Sequence, residues 1–316
     1  MNRPLSSTAA PPHAGGRSGL GASGALGAFR ARARLVLGIF KLRIGVLIMV
    51  TALAGMAAVP GAGALGFVQV LALALSVLLS SAAAGAFNQF VAAASARLMP
   101  RPRGRALASG ALPRSAAWLA AIVLLLAVAV ASAAWLVNGW AATFTAAGAL
   151  TYGVVYTLWL KRRTAWNIVV GGAAGSFAVL AGAAAANPEI TPLAWVLALV
   201  LFLWTPPHFW SLAIANTAEY AGAGVPMLQV VVGVPRAARI VHAQAIALVA
   251  VSLLPLWLGA GAVYAAGALA GGLFFVRKTR ALVKEPGRRT AMAAFFASMV
   301  QLSVLLAAVV VDAALR

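Results

Sequence analysis

The sequence predicts an all-α polytopic membrane bundle of nine transmembrane helices, on three observations. Hydrophobic residues make up 63% of the 316-residue chain, with a mean hydropathy of +0.98. Charged residues are only 9%, where a soluble domain carries roughly 25%. The apolar residues gather into runs near the ~20 residues that a helix needs to cross a bilayer, and the basic residues sit in alternate connections between them.

Residues 1–38 are rich in Gly, Ala, Ser, Pro and Arg and lack the continuous apolar core of a signal peptide. They read as a disordered, basic, cytoplasmic tail, with residues 39–316 as the membrane domain. The expected spans are 43–63, 67–95, 116–137, 140–160, 166–186, 193–215, 238–258, 260–276 and 291–312. Gly and Pro inside them are tolerated in membrane helices. The small residues of GGAAG (171–175) and GALAGG (267–272) permit close helix approach.

Charge sets the expected orientation. Arginines precede the first span, and Arg97, Arg101, Arg103, Arg105 and Arg114 separate the second from the third. Lys161, Arg162 and Arg163 follow the fourth, Arg236 and Arg239 precede the seventh, and six basic residues from Arg277 to Arg289 link the eighth to the ninth. The remaining connections hold no Lys or Arg, so the N-terminus is expected inside. The long connections, 96–115, 216–237 and 277–290, all fall on the basic side, where polar chemistry is expected. A balance of 24 Lys and Arg against 4 acids, net +20, suggests nucleic acid in a soluble protein. Here its arrangement reads as membrane topology, and no nucleic-acid partner is expected. The absence of Cys excludes disulfides and thiolate metal sites.

Three stretches carry more than composition: YTLWLKRRTAWNIVVGGAAG (156–175), WTPPHFWSLAIA (204–215) and EYAGAGVPMLQVV (219–231). With FKLRIGVLIMVTALAGM (40–56), where Leu42 stands at a usual Pro, they resemble the protohaem IX farnesyltransferases (haem O synthases). These are a branch of the UbiA superfamily of membrane prenyltransferases. The resemblance spans about 38–312 and implies nine helices around a central cavity. It also implies farnesyl transfer from farnesyl diphosphate to a vinyl group of haem, with Mg²⁺ held by carboxylates to neutralise the diphosphate.

The branch's first acidic motif is an Asn followed by Asp at helical spacing, on one helix face. Asn88 is retained, the acidic positions are Ala92, Ala94 and Ala96, and Met99, Arg101 and Arg105 match downstream. The second acidic motif precedes AGVPML. It reads Asn216, Thr217, Ala218, Glu219, Tyr220 here, so Glu219 alone is acidic. The other acids, Glu189, Glu285 and Asp312, are not expected to replace the lost ligands.

Each candidate has a plain alternative. Asn88 is a packing amide or a ligand contact; Glu219 touches at most one cation. Arg101, Arg105, Lys161 and Arg162 enforce topology or bind diphosphate or haem propionates. His208 is a packing residue, or it ligates haem iron or moves a proton. Tyr152, Tyr156, Trp159 and Trp210 stabilise a carbocation, with interfacial anchoring the alternative for Trp159 and Trp210, and Tyr220 joins the expected substrate pocket.

Three functions are expected in order. The first is a haem O synthase-like protein with impaired transfer, binding haem or isoprenoid and serving cytochrome oxidase biogenesis. The second is an active protohaem IX farnesyltransferase with unusual cation handling. The third is a transporter or channel for an anionic amphiphile. The expected partners are the lipid bilayer, haem B, farnesyl diphosphate and oxidase-biogenesis proteins. The expected location is the cell inner membrane, with the mitochondrial inner membrane second.

Overall fold

The computed structural model describes residues 22–96 and 106–316. Helices α1 (Ala22–Phe40), α2 (Leu42–Ala57) and α3 (Phe67–Ala96) come first. A short α4 (Ala106–Ser109) precedes α5 (Ala116–Leu136) and α6 (Gly139–Leu150), which continues as a π-helix over Thr151–Leu160. Next are α7 (Asn167–Ala186), α8 (Pro192–Ala215) and the short α9 (Thr217–Gly222) and α10 (Leu228–Val232). Helix α11 (Val234–Val251), a 3₁₀ turn (Leu254–Leu258), α12 (Ala262–Lys284) and α13 (Arg288–Leu315) complete the chain. No strand occurs among the described residues.

Each of the nine expected segments is helical, and they pack as a closed ring. In order round it, α3 meets α5, α6, α7, α8, α11, α12, α13, α2 and again α3. Helix α7 also packs on α2, and α13 on α8. The α2–α7 contact depends on glycine. A Cβ on Gly182 would collide with the Ala52 carbonyl, and one on Gly55 would lie 2.5 Å from the Val179 carbonyl. Large side chains such as Leu124, Val123 and Phe296 face outward, as a lipid-facing surface requires.

Nine spans proves a slight overcount. Among the described residues seven helices are long and apolar enough to cross, or eight if the bent pair Phe29–Phe40 with Leu42–Ala57 forms one span. Helix α2 alone has 16 residues, about 24 Å, short of the ~30 Å hydrocarbon core. The apolar part of α12, residues 262–276, covers about 22 Å before Arg277 and Lys278 begin.

Where the sequence reading places the end of an irregular tail, residues 22–40 form α1. Tertiary contacts explain it. Ile39 is fully buried, in a cluster with Ala83 and Ala86 of α3. Gln89 Nε2 donates to the carbonyls of Gly38 and Ile39, each at 2.9 Å. Those carbonyls end the helix and lack partners within it. Residues 1–21 of the expected tail lie outside the described residues.

Candidate functional site

Gly85, Asn88, Gln89 and Ala92 share one face of α3, since positions three, four and seven apart stack on a helix. Each does a different job. Gln89 ties down the end of α1. Gly85 leaves room for the Lys41 stem, whose Cδ lies 3.6 Å from where a Cβ would stand. Lys41 joins α1 to α2 with φ 48°. This left-handed conformation costs a non-glycine residue free energy and clusters at functional sites.

Asn88 is buried and donates from Nδ2 to Thr157 Oγ1 at 2.9 Å. Thr157 gives its single hydroxyl hydrogen to the Tyr152 carbonyl at 2.7 Å. It can therefore only accept from Asn88, which fixes the amide orientation and leaves Oδ1 as the remaining acceptor. The bond from Thr157 to Tyr152 spans five residues and lies within the π-helix. Such wide turns recur at functional sites.

The π-helix aligns Tyr152 and Tyr156, whose rings stack with centroids 5.3 Å apart. Lys41 Nζ lies 6.0 Å from the Tyr152 ring, and Lys161 Nζ lies 6.0 Å from the Tyr156 ring. The result is a row of lysine, tyrosine, tyrosine and lysine beside Asn88. Both distances are at the limit of cation–π attraction. Tyr156 presses on Gly171 of the GGAAG stretch, where a Cβ would sit 2.9 Å from its ring. Trp159 points outward at 55% exposure, which fits an interfacial anchor. Arg162 is exposed. Arg101 and Arg105 lie outside the described residues, as do the side chains of Ala94 and Ala96.

Tyr156, Tyr220 and Trp210 belong to one apolar cluster with Val225 and Met227 of the AGVPML stretch. Trp210 Nε1, Gln229 Oε1 and Asn167 Oδ1 are sealed polar atoms with no partner among the described residues. Glu219 lies in α9, half-buried, with Ala218 exposed before it. His208 lies apart from this group. It is two residues from Trp210, on the opposite side of α8. It packs against Trp204 and Phe295, with Nδ1 bonded to Ser298 Oγ. The expected haem or substrate pocket is thus two places: Tyr156, Tyr220 and Trp210 in one, His208 in the other. A shallow cavity of about 500 Å³ lies at the start of α11, lined by Arg236, Arg239, Ile240 and Ala243.

The donor set does not suit a carboxylate-held Mg²⁺. Around Asn88 it offers an amide, a hydroxyl and the methyl of buried Ala92. The chain's four acids are dispersed. Glu189 and Glu285 are exposed, and Asp312 accepts from the Gly261 and Tyr264 amides. Among the described residues no three His, Cys, Asp or Glu side chains gather to hold a metal.

Lys41, Thr157 and Ser298 were not picked out from the sequence. Only Lys41 left a signal there, as the basic residue that opens KLR between two apolar stretches.

The UbiA prenyltransferase family profile matches residues 48–300. Two curated relatives come from Paramagnetospirillum magneticum. "Protoheme IX farnesyltransferase 2" is 52% identical over 89% of this chain and 98% of its own length. "Protoheme IX farnesyltransferase 1" is 45% identical over 87% and 96%. Among solved structures, one described for digeranylgeranylglyceryl phosphate synthase aligns with a TM-score of 0.72 at 17% identity, over 90% of this chain and all of that one. A UbiA homologue from Archaeoglobus fulgidus, bound to GPP and Mg²⁺, aligns at 0.64 and 14% identity, over 86% and 99%. At these identities the structures share the fold.

Proposed function

Because the chain belongs to the UbiA prenyltransferase family, in its protohaem IX farnesyltransferase branch, we propose a haem O synthase-like membrane protein with impaired farnesyl transfer. It keeps sites for haem and a prenyl diphosphate but has lost the metal-held activation of the diphosphate. Lys161 and Arg162, with Arg101 and Arg105, bind the diphosphate or the haem propionates. Lys41 adds a cation beside the Tyr152–Tyr156 stack. The faces of that stack can shield an allylic cation. Trp210 and Tyr220 line the same substrate region, and His208 lies on the haem side. The chain sits in the cell inner membrane with its N-terminus in the cytoplasm, as the alternation of basic connections indicates.

One observation carries the reading. Ala92 is buried one turn beyond Asn88, at the branch's acidic position, while the Asn88 Nδ2 is bonded to Thr157. Mg²⁺ supplies charge neutralisation at the diphosphate when carboxylates hold it. With those positions as alanine, positive side chains are what remains.

Equilibrium binding of farnesyl thiodiphosphate, which resists ionisation, tests this. Binding by the wild type should be unchanged when Mg²⁺ is removed, and about tenfold weaker in Lys161→Ala. Binding that requires Mg²⁺ would show a working metal site and sink the proposal. The Lys41 and Lys161 positions also favour a second reading, an active transferase in which lysines share the metal's task. Turnover by the wild type without Mg²⁺ is its signature.

A further inference from the structure

Three aromatic residues and one serine hold His208. Its ring lies against Trp204 at 4.2 Å and 19°, and against Phe295 at 4.6 Å and 28°. Phe209 meets it edge-on, at 5.0 Å and 83°. Ser298 Oγ lies 2.7 Å from Nδ1 and also 2.7 Å from the Phe295 carbonyl. Trp204 Nε1 donates to the Ser298 carbonyl at 2.9 Å, so α8 grips this turn of α13 twice.

The hydroxyl has one hydrogen to give, and a carbonyl can only accept. Two oxygens at 2.7 Å with no hydrogen between them repel. The Ser298 hydrogen therefore points to the Phe295 carbonyl, and Oγ offers its lone pair to the ring. Nδ1 must carry the proton. In the neutral imidazole Nε2 then keeps its lone pair. Nε2 has no hydrogen-bond partner among the described residues, and the ring retains 8% exposure.

We propose that Ser298 is a positioning residue that locks His208 as the Nδ1–H tautomer, leaving Nε2 as the ligand for a haem iron. The ligand named rests on the haem-binding function proposed above. The logic is that of metal-bound histidines in general, where a hydrogen bond at one ring nitrogen fixes the tautomer and orientation of the other. Buried Ser298 spends its one hydroxyl hydrogen on the Phe295 carbonyl and a lone pair on the His208 ring.

The test uses the full chain in detergent with ¹⁵N-labelled histidine, His208→Gln identifying the His208 signals. The wild-type spectrum should show Nδ1 protonated and Nε2 bare. Ser298→Ala should release that preference, and Ser298→Thr, which keeps the hydroxyl, should retain it. Haem titration followed by absorbance should show a nitrogen-ligated iron in the wild type and Ser298→Thr, and about ten- to hundredfold weaker binding in Ser298→Ala. A wild-type ring protonated at Nε2 overturns the proposal, whatever the variants' stability. So does Ser298→Ala that keeps both tautomer and haem affinity. The expected tautomer with no haem uptake overturns the haem ligand and the proposed function together, while the tautomer lock stands.

Discussion

Asn88 and Thr157 can bond in only one sense, because the Thr157 hydrogen is spent on the Tyr152 carbonyl. Asn88→Ala should therefore lower stability by about 0.5–1.5 kcal/mol, the usual worth of such a bond between membrane helices. Thermal unfolding in detergent would measure it. Ala92→Asp puts a carboxylate at a buried position. It should lower the melting temperature without Mg²⁺ and recover on adding Mg²⁺ with a prenyl diphosphate; no Mg²⁺ effect would mean the ligand geometry is gone as well. At this scale the sequence told part of the story. The Asn88–Ala92 face was readable because helical spacing alone defines it. The sequence reading put His208 and Trp210 in one pocket, although two residues apart on a helix they point to opposite sides. The turn at Lys41 was not readable, because the carbonyls just before it are held by Gln89 of another helix. The π-helix was equally hidden, for its Thr157 bond is local but its Asn88 partner is 69 residues away.

Among the elements, glycines divide into those that touch a neighbour and those that do not. Gly182→Ala drives a Cβ into the Ala52 carbonyl and should cost about 1–3 kcal/mol by overpacking. Gly175→Ala meets nothing within 4 Å and should be neutral or stabilise slightly, since alanine favours helix by up to ~1 kcal/mol. Equal melting temperatures for the two variants would contradict the α2–α7 packing. Most segment bounds were recoverable to within a few residues, but the expected 43–63 runs six residues past the end of α2 at Ala57 and the expected 260–276 stops eight short of the end of α12 at Lys284. Span count was less so. The bend at Lys41 breaks the first apolar stretch into α1 and α2, and α12 carries its helix on through a basic run, neither of which hydropathy alone resolves.

Across the whole molecule, tryptophans and basic residues mark two levels. Trp135, Trp140, Trp195 and Trp257 are exposed near the connections without Lys or Arg. Trp159 and Trp166 are exposed beside Lys161, Arg162 and Arg163. The chain has no cysteine, so single replacements can report sidedness. Pro188→Cys should react with an impermeant maleimide added outside the cell, and Thr164→Cys only after lysis. The reverse pattern would invert the topology.

Mass spectrometry of the reaction with haem B, farnesyl diphosphate and Mg²⁺ bears most directly on lost metal activation within a kept pocket. The wild type should form no farnesylated haem, while a variant carrying Ala92→Asp, Ala96→Asp and Ala218→Asp should form it. Farnesylated haem from the wild type, abolished by Glu219→Gln, would contradict the account and show that one carboxylate suffices.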